Sequence, residues 1–322
     1  MTIESRRVQL TGGSTFIVSL PQEWIRKNGM GKGSLVSMDI NGDNLTIYPG
    51  EEKKKDVVRT MEINSSVTDD FLQRSMISIY ISGFDTLIIK SSTYLSQGVK
   101  DVVKKFTRLV MGVEIFEESS RSIVLQNVLD SNSFPLSNAL KRMIMNVQNM
   151  FQDTIKAIES NETDLIENII SRDDEVDRYH FYIMKEIGSH NVEGGELTFY
   201  LIFSRILERI ADHSVNICIT LKNDQINSAE KKKFILDFMN LTNELLQKST
   251  TSFMGADLQT LNEIVNNKKE IGKMKGRINE KRLNDVVVSS ITEEISRIGL
   301  YSTDIAEITM DRYIYRNQTV KI

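Results

Sequence analysis

The feature that most constrains this chain is the absence of proline from residue 136 to residue 322. Proline interrupts the hydrogen bonding of a helix, so a long proline-free stretch that is rich in helix formers favours long, uninterrupted helices. Apolar residues recur there at alternating spacings of three and four, as they do on the buried faces of a helical bundle. We therefore predict an all-α domain over residues 131–322, with six helices at about 135–160, 162–190, 195–223, 228–253, 257–282 and 284–316.

The third and sixth of these predicted helices have similar sequences. Residues 209–217 read RIADHSVNI and align with residues 297–305, which read RIGLYSTDI. The second and fifth helices match more weakly, with Glu175-Val176 opposite Glu270-Ile271. Six helices therefore indicate two copies of a three-helix unit. Ser214 and Ser302 occupy equivalent places on or near the apolar seam, where small side chains allow helices to approach closely.

Residues 1–50 predict a small β-rich domain. Tight turns are expected at Gly12-Gly13-Ser14 and at Asn41-Gly42, because such turns need positive φ angles. Fifty residues of short strands bury little surface, so a domain of this kind usually needs a partner chain. The predicted elements are strands at 7–10 and 15–20, a helix at 21–27, and strands at 35–40 and 45–48.

Residues 57–130 predict a small α/β domain, because strands alternate there with helices. No glycine-rich phosphate loop accompanies these elements, so the pattern does not indicate a nucleotide site. The predicted strands span 57–63, 86–90, 113–117 and 122–128, and the predicted helices span 69–80 and 96–111. A charged linker, residues 51–56, precedes them.

Composition excludes several other classes of protein. The formal net charge of −4 gives no global signature of nucleic-acid binding. Cys218 is the single cysteine, so no intrachain disulfide can form, and we expect it to be a small buried residue. No apolar run is long enough to cross a bilayer, and the polar N-terminus does not resemble a signal peptide. We expect a cytoplasmic protein without membrane insertion.

Paired carboxylates on two neighbouring helices are the candidate metal ligands. Glu208 and Asp212 are four residues apart, so they share one helix face, and Asp173 and Asp177 repeat this spacing on the preceding helix. Like charges at this spacing repel, and a bound cation that prefers oxygen ligands, Mg²⁺, Ca²⁺, Mn²⁺ or iron, would reverse that penalty. The alternative is an ordinary solvated face that Arg209 or Arg178 neutralises.

The histidines indicate packing more than chemistry. His213 lies on the apolar stripe of its helix, so we expect it to be buried and bonded to an acceptor. His180 and His190 are predicted to be surface residues. With three histidines and one cysteine, the chain indicates neither a zinc cluster nor a Ser/His/Asp triad.

The N-terminal residues resemble the AbrB/MazE/SpoVT swapped-hairpin family. The resemblance rests on VQLTGGSTFIVSLP at residues 8–21, on Trp24, on glycines at 29, 31 and 33, and on the spacing Leu45-x-Ile47-x-Pro49. It implies an intertwined homodimer that lays basic loops on DNA. By position, the implied DNA contacts are Arg6, Arg7 and Ser14, with Arg26 and Lys27 behind them. A dimer doubles such a basic patch and makes it symmetric.

The helical part resembles the PhoU family. The motifs are DDEVD at residues 173–177 and LERIADHS-x-NI at residues 207–217. The resemblance implies control of phosphate transport and of phosphate-starvation signalling through protein contacts, and carboxylate-bound metal on the bundle surface. In the second repeat the equivalent positions hold Lys268, Gly272, Ser296 and Leu300, so we expect at most one metal site per chain. The combination of both families resembles archaeal PhoU-like regulators.

The sequence thus predicts a mixed fold: a small β-rich swapped-hairpin domain, a small α/β domain, and tandem three-helix bundles. The expected function is regulation of phosphate uptake by a homodimeric, DNA-binding transcriptional regulator. The alternative is an adaptor that docks on a phosphate transporter or signalling partner, with the hairpins serving only dimerisation. A metal-dependent hydrolase is not favoured, because no general base outside the carboxylate cluster is evident.

Overall fold

A computed structural model describes residues 4–41, 44–50, 56–64, 66–129, 134–189, 195–255, 258–280 and 285–317. The chain divides into two compact units, residues 1–56 and residues 57–322.

The first unit consists of two β-hairpins and a short helix. Strands β1 (Gln9–Thr11) and β2 (Thr15–Ile17) form one antiparallel pair, and β3 (Val36–Asn41) and β4 (Asn44–Pro49) form the other, with α1 (Gln22–Lys27) between them. The predicted first turn is confirmed, because Gly12 and Gly13 have φ angles of 59° and 83°. The predicted second turn includes Gly42 and Asp43, which lie outside the described residues.

The first unit leaves its apolar side chains open. Wherever burial is described in residues 4–50, the side chains are exposed or half-buried. Phe16 is 71% exposed and Ile40 is 78% exposed. Apolar surface of this extent stabilises a fold only when something covers it.

The second unit begins with a four-stranded sheet. Strands β5 (Val58–Ile63), β6 (Thr86–Ser91), β7 (Val113–Glu118) and β8 (Ser122–Asn127) lie in the order β5-β6-β8-β7. The pair β5–β6 is parallel and the other two pairs are antiparallel. Helices α2 (Asp69–Ile81) and α3 (Gln97–Leu109) supply apolar side chains to the same core as alternate residues of the strands. The predicted α/β arrangement is confirmed.

The rest of the second unit is helical. Its elements are α4 (Leu136–Ser160), α5 (Thr163–Ser171), α6 (Asp173–Ser189), α7 (Gly195–Asn223), α8 (Ala229–Gly255), α9 (Leu258–Glu280) and α10 (Val286–Arg316). Five of the six predicted helices are confirmed with boundaries within two residues. In the described part of the chain, no helix has both the length and the apolar character that a bilayer-spanning segment requires.

The prediction of one continuous helix over 162–190 is wrong, because the chain breaks at Arg172. The backbone N–H of Arg172 is shared between the carbonyls of Asn168 and Ile169, which tightens the turn. Its guanidinium donates to Asp153 Oδ2 of α4 at 2.7 Å. A tertiary ion pair therefore accompanies the point where α5 ends and α6 begins.

The repeat predicted from the sequence appears as equivalent packing of α7 and α10. Ser214 and Ser302 are both fully buried. Each hydroxyl donates to the carbonyl four residues earlier at 2.9 Å, on Ile210 and Ile298 respectively. The two serines therefore satisfy their own polar groups inside the apolar seam, as a structural role requires.

Helix α6 joins the sheet to the bundle. Phe181 lies in the core that the sheet shares with α2 and α3, whereas Val176, Tyr182 and Ile183 lie in the core of the bundle. One helix thus contributes to both apolar cores, and residues 57–322 form a single compact unit.

Candidate functional site

The four predicted carboxylate ligands lie on two packed helices. Asp173 and Asp177 are in the first two turns of α6, and Glu208 and Asp212 lie near the middle of α7. All four side chains are half-buried. Helices α6 and α7 pack against each other, and the charges of Glu208 and Asp212 act on Asp173 and Asp177.

Burial raises the pKa of all four carboxylates. Burial raises the pKa of Asp177 to about 7, and the charges of Asp173, Glu208 and Asp212 add to the increase. Burial likewise raises the pKa of Asp173 to about 6, with contributions from Asp212, Asp174 and Glu208. The pKa values of Glu208 and Asp212 are also raised, mainly by burial. The cluster therefore holds negative charge at a cost that a proton or a cation relieves.

Two arginines of α7 neutralise part of this charge. Arg205 Nη1 lies 3.0 Å from Glu208 Oε1, and Arg209 Nη1 lies 3.9 Å from Asp212 Oδ2. Arg209 Nε is 3.8 Å from Glu208 Oε2, which is too long for a hydrogen bond, and this buried oxygen has no hydrogen-bond partner. The arginines thus pair with the two carboxylates of α7, and the buried Glu208 Oε2 remains without a hydrogen bond.

The donor set suits a cation that prefers oxygen ligands, and the unsatisfied Glu208 Oε2 is an acceptor that such a cation would use. In the side-chain positions of the described residues, however, no three His, Cys, Asp or Glu side chains are close enough together to hold a metal ion.

The prediction for His180 is wrong, because the residue is only 1% exposed. Its Nδ1 lies 3.2 Å from Ser204 Oγ. Since the Ser204 hydroxyl donates to Leu201 O at 2.9 Å, its oxygen accepts from the imidazole. Burial lowers the pKa of His180 to about 4. The sequence contained the signal, because His180 falls on the same helical stripe as Val176 and Ile183.

The other predictions for single side chains have different outcomes. His213 is largely buried and bonds Glu294 of α10 through Nδ1, as expected. Cys218 is fully buried, and burial raises the pKa of its thiol to about 11, which confirms a packing role. His190 lies outside the described residues.

The predicted DNA contacts are exposed on the first unit. Arg7 precedes β1, and Ser14 lies in the turn between β1 and β2. Arg26 and Lys27 form the last turn of α1. The guanidinium of Arg6 pairs with Glu4, which neutralises one of the cations. The structure thus leaves Arg7, Ser14, Arg26 and Lys27 accessible on the first unit.

The sequence reasoning missed one group of charged residues. Helix α3 contributes Lys104, Lys105 and Arg108 to the wall of a cavity that Asp174 of α6 also lines. The only signal in the sequence was the density of cations between residues 100 and 108, which a solvated helix face also shows.

Family models match two parts of the chain. Residues 140–220 match the PhoU domain, and residues 9–56 match "Antidote-toxin recognition MazE, bacterial antitoxin". The first match contains all four carboxylates, and the second contains both hairpins. A comparison with curated protein sequences gives no match.

Two solved structures resemble the chain. PhoU from Pseudomonas aeruginosa superposes with a TM-score of 0.52 at 13% identity, over 58% of this chain and 100% of that protein. The phosphate transport system regulatory protein PhoU from Streptococcus pneumoniae gives a TM-score of 0.48 at 14% identity, over 58% of this chain and 96% of that protein. The likeness to the Pseudomonas protein shows a shared fold.

Proposed function

We propose that this chain is a cytoplasmic regulator of phosphate uptake that binds DNA as a homodimer, because residues 140–220 match the PhoU domain and residues 9–56 match the MazE antitoxin domain. The PhoU match carries the proposal, since PhoU domains are associated with control of phosphate transport. The fold agrees, because the likeness extends over the whole of the Pseudomonas protein.

Dimerisation is supported by the apolar surface of the first unit. Phe16 on β2 and Ile40 on β3 are exposed by more than two thirds of their area. Two small hairpins that leave such side chains open gain stability by covering them with a second copy. Each dimer would then present two symmetric sets of Arg7, Ser14, Arg26 and Lys27.

DNA binding is tested by gel shift with the upstream DNA of phosphate-transport genes. The full-length chain should shift the DNA at low salt, and the shift should weaken as salt rises, because phosphate contacts release counterions. The double variant Arg6→Ala/Arg7→Ala should lose the shift. The control Arg59→Ala/Arg121→Ala removes the same charge from β5 and from the turn between β7 and β8, and it should retain the shift. Absence of any shift at low salt would refute DNA binding.

The ion pair between Arg6 and Glu4 favours a second candidate, an adaptor that does not bind DNA. In that case the hairpins only dimerise the chain, and the helical bundle docks on a phosphate transporter or a signalling partner. Pull-down of transporter subunits by the DNA-free chain, together with a negative gel shift, would select the adaptor.

We also propose that the carboxylates of α6 and α7 hold a divalent or iron cation. Asp173, Asp177, Glu208 and Asp212 would be the ligands, and the cation would supply positive charge between the two helices. The raised pKa values and the unsatisfied Glu208 Oε2 support this proposal. Elemental analysis of purified protein tests it, and a phosphatase assay with Mn²⁺ tests the further proposal that the chain is not an enzyme.

A further inference from the structure

A polar cavity of about 350 Å³ lies between α3 and the beginning of α6. It is lined by Asp101, Lys104, Lys105, Arg108 and Leu109 of α3 and by Asp174 of α6. Its size falls at the lower end of the range for small-molecule sites. None of these side chains belongs to the four proposed metal ligands, so the cavity is a separate feature of the second unit.

The three cations of this cavity are exposed side chains of one helix. Lys100, one turn before Lys104, pairs with Glu118 of β7 at 2.7 Å. Within the described residues, Lys104, Lys105 and Arg108 make no comparable contact with a carboxylate, although Asp101 and Asp174 line the same cavity. Three exposed cations and two exposed carboxylates therefore line one cavity, and the charge of Lys104 also acts on Glu118.

The helix dipole explains only part of this arrangement. A cation near the C-terminus of a helix is favourable, but the effect falls off within the last turn. Helix α3 ends at Leu109, so the dipole accounts for Arg108. Lys104 and Lys105 lie farther from the end, where the dipole contributes little.

We propose that this cavity binds a hydrogen phosphate group. Phosphate oxygens accept charge-assisted hydrogen bonds from lysine and arginine, which would satisfy the three cations. Inorganic phosphate keeps at least one proton at neutral pH, and its P–OH group can donate to a carboxylate such as Asp174 or Asp101. Sulfate has no such proton, so the carboxylates repel it.

The same carboxylates argue against a nucleic acid as the occupant. A DNA backbone presents a row of ionised phosphates, and two acidic side chains beside three cations oppose such a polyanion. A single hydrogen phosphate can accept hydrogen bonds from the cations and donate one to a carboxylate. The chemistry of the cavity therefore selects a small protonated oxyanion.

Phosphate in this cavity would contact α6 beside the proposed metal ligands. Asp174 is adjacent to Asp173 on α6, the helix that contributes to the cores of both the sheet and the bundle. Phosphate in the cavity would join α3 to α6 through their charged side chains. The physiological meaning of this inference, direct sensing of phosphate by the regulator, rests on the proposed function. Phosphate binding itself is measured without DNA or a transporter.

The test is isothermal titration calorimetry of inorganic phosphate into metal-free, full-length protein, with metal content checked by elemental analysis. Phosphate should bind at millimolar concentration or better, and Lys104→Gln and Arg108→Gln should each weaken it about tenfold. Lys100→Gln is the matched control, because it removes the same charge from the same helix outside the cavity. It should leave the affinity unchanged.

Sulfate and one further variant test the role of the proton. The native chain should bind sulfate more weakly than phosphate, and Asp174→Asn should reduce that preference. No phosphate binding at 10 mM, which is on the order of the weakest useful affinity, would overturn the proposal. Equal loss in Lys104→Gln and Lys100→Gln, or equal binding of sulfate and phosphate by the native chain, would also overturn it. Gel-shift and pull-down results are separate measurements, so failure here is distinguishable from failure of the proposed function.

Discussion

At the scale of single residues, burial shifts the pKa values of an acid and a base of α6 in opposite directions. Asp177 and His180 are three residues apart, and low accessibility disfavours the charged form of each. The pKa of the aspartate is therefore raised, whereas the pKa of the histidine is lowered. Their contributions to stability consequently depend on pH with opposite signs.

His180 should stabilise the fold only while it is neutral. Its pKa falls from an ordinary value of 6.5 to about 4, so the unfolded chain binds the proton first as pH decreases. The stability is complete above pH 6.5 and is lost as pH falls toward 4, with a slope of at most about 1.4 kcal/mol per pH unit. Urea unfolding of His180→Gln and the native chain should show a shallower acid dependence for the variant. Parallel curves would contradict this prediction.

Asp177 should destabilise the metal-free fold when it is ionised. Its folded pKa of about 7 exceeds the ordinary 3.8, so stability falls as pH rises from about 4 to 7. Asp177→Asn should therefore raise the melting temperature of metal-free protein at pH 8 by about 2 °C. Mn²⁺ should stabilise the native chain but not the variant, as measured by calorimetry.

Asp304→Asn provides the control for this experiment. Asp304 is also half-buried with a raised pKa, but it lies in the second repeat beside Lys268. Its variant should keep the full response to Mn²⁺. A native chain that shows no Mn²⁺ effect at pH 8 would count against Mn²⁺ as the cation.

At the scale of elements, the close approach of two helices depends on a glycine at their contact. A Cβ added at Gly299 of α10 would lie 2.6 Å from Ile271 Cδ1 and 3.1 Å from Ile271 Cγ1 of α9. A Cβ added at Gly272, on α9 itself, would have no other atom within 4 Å apart from its chain neighbours and its own helix backbone. A side chain at Gly299 would therefore collide with α9, whereas a side chain at Gly272 would meet no atom.

Gly299→Leu should destabilise the chain by about 1–3 kcal/mol, because the new side chain forces α9 and α10 apart. The same substitution at Gly272 should be neutral or stabilising, since leucine favours helix more than glycine does. Chemical denaturation of both variants measures the difference. Similar destabilisation by the two substitutions would show that the α9–α10 contact does not depend on Gly299.

At the scale of the whole molecule, the two units differ in what they bury. The second unit has two apolar cores of its own. In the described residues of the first unit, no side chain is buried. The second unit therefore has the apolar cores that independent folding requires, whereas the described part of the first unit has none.

Phe16→Glu should convert a homodimer into a monomer, because it places a charge on the apolar face of the first unit. Phe116→Glu is the matched control, since Phe116 is 69% exposed on the second unit and Phe16 is 71% exposed on the first. Light scattering should give a halved mass for the first variant alone. A monomeric native chain would refute the proposed dimer.

Local patterns in the sequence were enough to predict most helices and strands. Period-two and period-3.6 spacing of apolar residues, together with glycine and proline at turns, reports backbone preferences that neighbouring residues set. The same spacing placed Asp173, Asp177, Glu208 and Asp212 in one region, and the repeat identified Ser214 and Ser302 as equivalent seam positions. These features depend on short stretches of chain, so the amino-acid sequence determined them.

Only the tertiary structure decided the features that depend on distant partners. The helix break at Arg172 coincides with an ion pair to Asp153 on another helix, and the burial of His180 depends on Ser204 and on packing from several elements. The cavity beside Lys104, Arg108 and Asp174 exists because α3 and α6 meet. Contacts between residues far apart in the chain leave no periodic trace in either segment, so only the packed fold reveals them.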